Sequence, residues 1–519
     1  MVTQPPFVLH RWKWLIACLV VLLIYLLIIV AYAENIPYAD DLAVLSSLYD
    51  IQHAPNWYLK LRILFNFHNE HRIAIPRLIA IGIYYIQHRH INIMWWIIIG
   101  NISIFLLLYL YFKAGFINQR VKRFLPVLFF VLQPMHCELM YWGMASLQNI
   151  GVIVLSSLSF YYLFQSKNNY LALLVAVLAV FTSANGLFTF IVGIALLIYR
   201  KDWPSSIIWL VIGLLSGFLY WNGFIIGKYS GDGFGESLEL VRFLITFISL
   251  TGGVVYTQSF PLFSFALGFI LLLFISISVY YIINSQSVNS DSSKLFFVAC
   301  LAFVLLTIAA ISLGRHPSNI LSGSRYKLYP ALVLALTYIL LEDRVKENQY
   351  IFKSILSFSM LFWVVSYAHY TTRFSTHSRL LFAHFYNWKY SGILDVPSRY
   401  SEKYYSERWH KFYQDGQYIP PQKIIEKCQK IVAKVNEQAI FKTSYYFNNK
   451  DINIDPVELP IHEYYAVHKA EQKTTIYPLI TNNFYKSILT PSKVKYSASI
   501  NSSYWVKSAE ESLLIIPMD

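Results

Sequence analysis

The chain has 519 residues, 56% of them hydrophobic and only 13% charged, against roughly 25% charged in soluble domains. That balance excludes an ordinary soluble enzyme. The net charge of +14 does not mark a nucleic-acid binder, because such domains gather Lys and Arg on one patch. Here they are scattered between apolar spans, where they read as topology signals.

Apolar stretches near the ~20 residues a helix needs to cross a bilayer recur at 14–33, 92–112, 204–226, 261–284, 295–313 and 351–370. The first is long and has no small-x-small cleavage site after it, so it reads as a retained first transmembrane helix. Cys18 and Cys300 lie within spans, leaving Cys137 and Cys428 as the one pair a disulfide could join. No disulfide framework or metal spacing is visible.

Orientation follows from the basic residues, which collect in cytoplasmic loops. Arg11 and Lys13, then Lys113, Arg120, Lys122 and Arg123, then Arg200 and Lys201, belong on one side. The loop 134–146, without Lys or Arg, and the break Ser183-Ala184-Asn185-Gly186 fall on the other. A full crossing at 238–258 would invert the rule for the later loops. A helix over 239–251 that dips in from the outer face and breaks at Thr251-Gly252-Gly253 restores it; irregular backbone at that depth must be buried in protein or line a cavity. The expectation is a polytopic α-helical membrane protein of about eleven crossings, residues 1–370, followed by a soluble extracytoplasmic α+β domain, residues 371–519. That domain has helix-like text to Val435, and strands are expected at 439–447 and 497–506.

The first outer loop, 34–90, carries two helical patterns: Leu42, Leu45, Leu48 and Tyr49, then Trp57, Leu61, Leu64 and Phe65. Both are expected to lie in the membrane interface. Asp40 and Asp41 precede the first. They can cap that helix and offset its dipole, or one can act as general base toward a hydroxyl nucleophile. The loop continues as Phe67-His68-Asn69-Glu70-His71-Arg72. Glu70 offers a second carboxylate, while His68, His71 and Arg72 can bind phosphate or sugar oxygens. A divalent metal is an alternative use of these ligand types, although no fixed helical metal spacing is present.

Further on, Arg315, Arg325 and Lys327 stand in an outer loop, against the positive-inside trend. The alternatives are snorkelling to lipid headgroups and a phosphate grip, with Arg325 as its centre and Tyr326 beside it. His136 and Glu138 are candidates for sugar contacts; Trp142 fits either that role or an interfacial aromatic belt.

These residues, in this order, resemble the GT-C superfamily of membrane glycosyltransferases, in the bacterial branch that includes O-antigen glucosyltransferases. The acid pair Asp40-Asp41, the step Glu70-His71-Arg72, the step Ser324-Arg325-Tyr326 and the element 136–149 carry the resemblance, over roughly the first two thirds of the chain. It implies a GT-C-like transmembrane module and a polyprenyl-phosphate sugar donor. The acceptor would be a hydroxyl of a cell-envelope glycan, and the active site would be periplasmic in a bacterial inner membrane. It also implies that Asp40 or Asp41 is the base, with Arg72 and Arg325 on the lipid phosphate. A lipid or oligosaccharide transporter is the competing class; its polar sites would sit near the bilayer midplane.

Overall fold

The computed structural model describes residues 7–116, 121–224, 240–257, 259–284, 292–345, 347–394 and 402–436, and the strand segments of the C-terminal region named below. Eight helices among them are long and apolar enough to cross a membrane: Trp12–Tyr32, Ile93–Gly115, Val121–Tyr141, Gly143–Gln165, Trp203–Trp221, Pro261–Ile282, Ser292–Gly314 and Gln349–Ser391. The chain is thus a multi-pass helical membrane protein. Four further apolar helices are shorter: Ala74–Ile86, Asn169–Val180, Ala184–Tyr199 and Leu240–Thr251. By internal contacts the chain divides into two units: Met1–Ala33, Asp50–Gly82 and Trp95–Tyr370; and Glu34–Tyr49, Ile83–Met94 and Thr371–Asp519.

In the first unit the helices are two-faced, and both faces are apolar. Val21, Tyr25 and Ile29, four residues apart, are buried, while Leu19, Leu23, Leu27 and Val30 are exposed. Exposed apolar surface on this scale suits lipid as its neighbour. The run Val121–Tyr141 is interrupted at Leu132–Gln133, and the carbonyl of Leu132 accepts from the Trp363 indole at 2.8 Å. That bond satisfies backbone which lipid could not.

The helix Leu240–Thr251 has 12 residues and so rises about 18 Å, well short of a ~30 Å hydrocarbon core. It ends at Gly252, and a short 3-10 turn, Gly253–Val255, follows. It packs on Pro261–Asn284 through two glycines. A Cβ on Gly268 would fall 1.9 Å from the Ile248 carbonyl, and one on Gly252 would fall 2.1 Å from that of Ser264. No side chain fits there, which is why both positions are glycine.

In the second unit, helices Glu402–Gln414 and Gln422–Asn436 accompany the last part of the long helix Gln349–Ser391. That helix runs unbroken through position 371, where composition changes. Among the described residues, one four-stranded antiparallel sheet orders Phe441–Lys442, Leu514–Met518, Glu463–Ala470 and Lys473–Pro478; another orders Tyr445–Asn448, Asp451–Ile454, Tyr496–Ser499 and Ile480–Thr481. Of the strands expected at 439–447 and 497–506, residues 439–440, 443–444 and 500–506 lie outside the described residues. Trp388 and Trp409 stack at 3.8 Å, with Tyr418 edge-on to Trp409. The Asn387 side chain both donates to and accepts from the backbone of Ile476, at 3.0 and 2.8 Å.

All four cysteines are free, so Cys137 and Cys428 are not paired. Burial pushes the Cys428 thiol up to about 12, which keeps it neutral and unreactive.

Candidate active site

Within the second unit, the acid pair sits where the chain turns into the helix Asp41–His53. Ala39 adopts φ +47, a left-handed backbone that non-glycine residues rarely take. Asp40 is the N-cap: its carbonyl accepts from the amides of Ala43 at 3.1 Å and Val44 at 3.3 Å. The two carboxylates then differ. Asp41 is wholly buried, and its Oδ2 accepts the Tyr38 amide at 3.1 Å. Asp40 is partly exposed. The sequence left open how the two differ; Asp40 is the more exposed of them, and Asp41 holds the turn.

The helix that follows is not the interfacial one its pattern suggests. Every residue from Asp41 to Leu48 is buried, Ser46 and Ser47 included. The Ser47 hydroxyl donates to the Ala43 carbonyl at 2.9 Å, which lets a polar residue be buried at small cost. Within the first unit, by contrast, helix Trp57–Leu64 leaves Trp57, Tyr58 and Leu61 exposed, as an interfacial helix does.

The step Glu70-His71-Arg72 forms a hairpin in which Phe67 faces Arg72 and His68 faces His71. Asn69, at φ +51, makes the turn, a conformation Asn tolerates better than most. His68 is buried within it and contacts the Asn69 amide. Glu70 is ion-paired with Arg315, and its Oε1 lies 3.7 Å from the His71 Nε2. The anionic partner that Arg315 required is therefore inside the protein.

Arg72 turns inward. Its Nε donates to the Tyr220 carbonyl at 2.5 Å, its other nitrogens donate to the carbonyls of Phe65 and Asn222, and its guanidinium lies 4.2 Å over the Phe67 ring. The phosphate role expected for Arg72 gives way to a structural one. Each of its three nitrogens donates to a backbone carbonyl.

A second cluster of the same unit joins two distant stretches of sequence. The Ser324 hydroxyl accepts the Glu138 amide at 3.0 Å, and the Glu138 carboxylate accepts the Arg325 amide at 2.8 Å. The Arg325 guanidinium lies over Trp142 at 5.6 Å and over Tyr326 at 5.1 Å. Ring contacts of this kind restrain the guanidinium. Gly323 is small of necessity, since a Cβ there would lie 2.7 Å from the Asn319 carbonyl.

Two other candidates lie elsewhere. Lys327 is buried, donates to the Gly253 carbonyl at 2.6 Å and stands 4.8 Å over Tyr256. It thus places a cation at the negative end of the half-length helix, in place of a phosphate grip. His136 is wholly buried among the spans; its Nε2 is 3.2 Å from the Tyr25 hydroxyl, which donates to Asn101 at 2.8 Å. That network is internal, so the sugar contact expected for His136 is not what the geometry offers. Tyr25 and Asn101 were missed because a lone Tyr or Asn inside an apolar run carries no local signal.

Among the described residues no group of three or more His, Cys, Asp or Glu is placed to hold a metal ion. Comparison with family models, curated proteins and solved structures finds no match.

Proposed function

We propose that the chain is a GT-C-type glycosyltransferase that moves a sugar from a polyprenyl-phosphate donor to a hydroxyl of a cell-envelope glycan. Its setting is the outer face of a bacterial cytoplasmic membrane. The observation that carries the reading is the division within the acid pair: Asp41 is wholly buried and accepts the Tyr38 amide, whereas Asp40, at the start of the same helix, is partly exposed. In the reaction Asp40 takes the proton of the acceptor hydroxyl. The oxygen attacks the anomeric carbon, the carbon–oxygen bond to phosphate breaks, and the polyprenyl phosphate leaves with the electron pair. A single displacement of this kind inverts the anomeric centre.

Arg325, held over Trp142 and Tyr326, is the cation that offsets charge on the departing phosphate. The cluster of Glu70, His71 and Arg315 presents donors and acceptors together, which suits sugar hydroxyls. With the shorter apolar helices counted beside the eight long ones, about eleven crossings and an outward C-terminal α+β domain complete the reading.

Mass analysis of surface glycans tests it. Cells carrying the wild-type chain gain a sugar residue that cells carrying Asp40→Asn lack; identical glycans in the two would rule the reading out. A transporter is favoured only by the broken helix at Gly252, a feature of such proteins. Loss of the sugar with lipid flux intact excludes it.

A further inference from the structure

Within the second unit, three stretches far apart in sequence converge on Asn35, five positions before Asp40. The Asn35 Nδ2 donates to the Ile419 carbonyl at 2.9 Å, its Oδ1 accepts the Ile93 amide at 2.8 Å, and its own carbonyl accepts the Tyr418 hydroxyl at 2.6 Å. Around it, the Ile91 amide donates to the Gln417 carbonyl at 2.7 Å, and Ile91 pairs with Tyr418 as an isolated parallel bridge. Next to it, buried Glu34 accepts from Lys423 at 2.6 Å. Burial, followed by the Glu34 charge, raises the Tyr418 hydroxyl well above its usual range, so it stays a donor.

The path from this knot to the carboxylate has little slack. Ile36 is buried, the Tyr38 ring packs edge-on against His377 at 4.8 Å, and the Tyr38 amide is held by Asp41. Ala39 then takes its left-handed turn. Each residue between Asn35 and Asp40 is thus fixed by burial, a ring contact or a backbone bond. These bonds exceed what closing a surface loop requires, because the backbone groups of such a loop are met by water.

We propose that Asn35 and Tyr418 are positioning residues for Asp40: the turn after helix Glu402–Gln414 fastens the backbone from which the base projects. The C-terminal region therefore sets the catalytic carboxylate in place, whatever else it binds. The proposal rests on the glycosyltransferase reading for its kinetic consequence, but its structural consequence stands apart from that reading. Displacing a reacting group by about 1 Å can lower a rate about 100-fold, so the expected effect falls on kcat and leaves the KM for donor unchanged.

The test uses the full-length protein in detergent, with undecaprenyl-phosphate glucose as probe donor, in variants Asn35→Ala, Tyr418→Phe, Asp40→Asn and Lys389→Met. Lys389→Met is the control, since it loses the bond from Lys389 to the Tyr413 hydroxyl in the same unit without touching the knot. In Asn35→Ala and Tyr418→Phe, amide hydrogen exchange over residues 38–44 is expected to speed up by at least about tenfold, while kcat falls about 10–100-fold at unchanged KM. The control should change neither. Unchanged exchange over 38–44, or an unchanged kcat where exchange has sped up, overturns the positioning role. Wild-type turnover by Asp40→Asn would instead overturn the glycosyltransferase reading, and the exchange data would still decide whether the knot holds the turn.

Discussion

At the scale of single residues, adjacent identical side chains do different work because their backbones do. The Asp41 side chain accepts the Tyr38 amide and Asp40 caps the helix through its carbonyl, so replacing each has a separate signature. Asp41→Ala leaves the Tyr38 amide without its acceptor and should cost about 1–2 kcal/mol, seen as a lower Tm of the purified protein; an unchanged Tm would deny Asp41 that role. The ion pair of Arg315 and Glu70 is partly exposed, and a double-mutant cycle on it should give a coupling below about 1 kcal/mol. A larger value would mean that the pair is shielded from solvent. The sequence made the acid pair and the polar run from His68 to Arg72 visible, because dense polar text between apolar stretches needs a reason. It could not show that Arg72 faces inward, since the carbonyls of Phe65, Tyr220 and Asn222 that hold it carry no side-chain signature.

At the scale of elements, the break at Gly252 was legible from charge and glycine placement, whereas its two supports were not. Gly268 sits in an apolar run with no local mark of the close approach it permits, and Lys327 belongs to a stretch of basic residues whose other members do different things. Gly268→Val puts branched carbon against the Ile248 carbonyl and should destabilise the protein by about 1–3 kcal/mol or force the two helices apart. Thermal unfolding in detergent measures it, and a neutral result would show that the helices pack less closely than described. The helix Asp41–His53 was misjudged as interfacial for a related reason. Periodicity counts apolar positions, whereas small residues such as Ala43, Ser46 and Ser47 are buried too, Ser47 by bonding its hydroxyl back to its own helix.

At the scale of the whole molecule, composition alone made the membrane legible: long uncharged stretches have few other uses, and eight of the described helices meet the length and hydropathy that a crossing needs. What remained hidden is that the residues just after the first span group with the C-terminal region in one unit, a link made by Asn35 and Tyr418 across 383 positions of sequence. Orientation is the other molecular property, and we propose it from the charge pattern. Ser322 is exposed, so Ser322→Cys in a chain otherwise free of cysteine should react with an impermeant maleimide in intact cells; reaction only after permeabilisation would reverse the topology.

If Asp40 is the base of a sugar transfer, as proposed, initial rates in membranes depend on its carboxylate. With undecaprenyl-phosphate glucose as donor and insertion checked by immunoblot, Asp40→Asn should insert at the wild-type level and transfer at least about 100-fold more slowly, while Asp41→Asn, whose amide oxygen can still accept from Tyr38, should retain measurable turnover. Wild-type rates from both variants would contradict the claim.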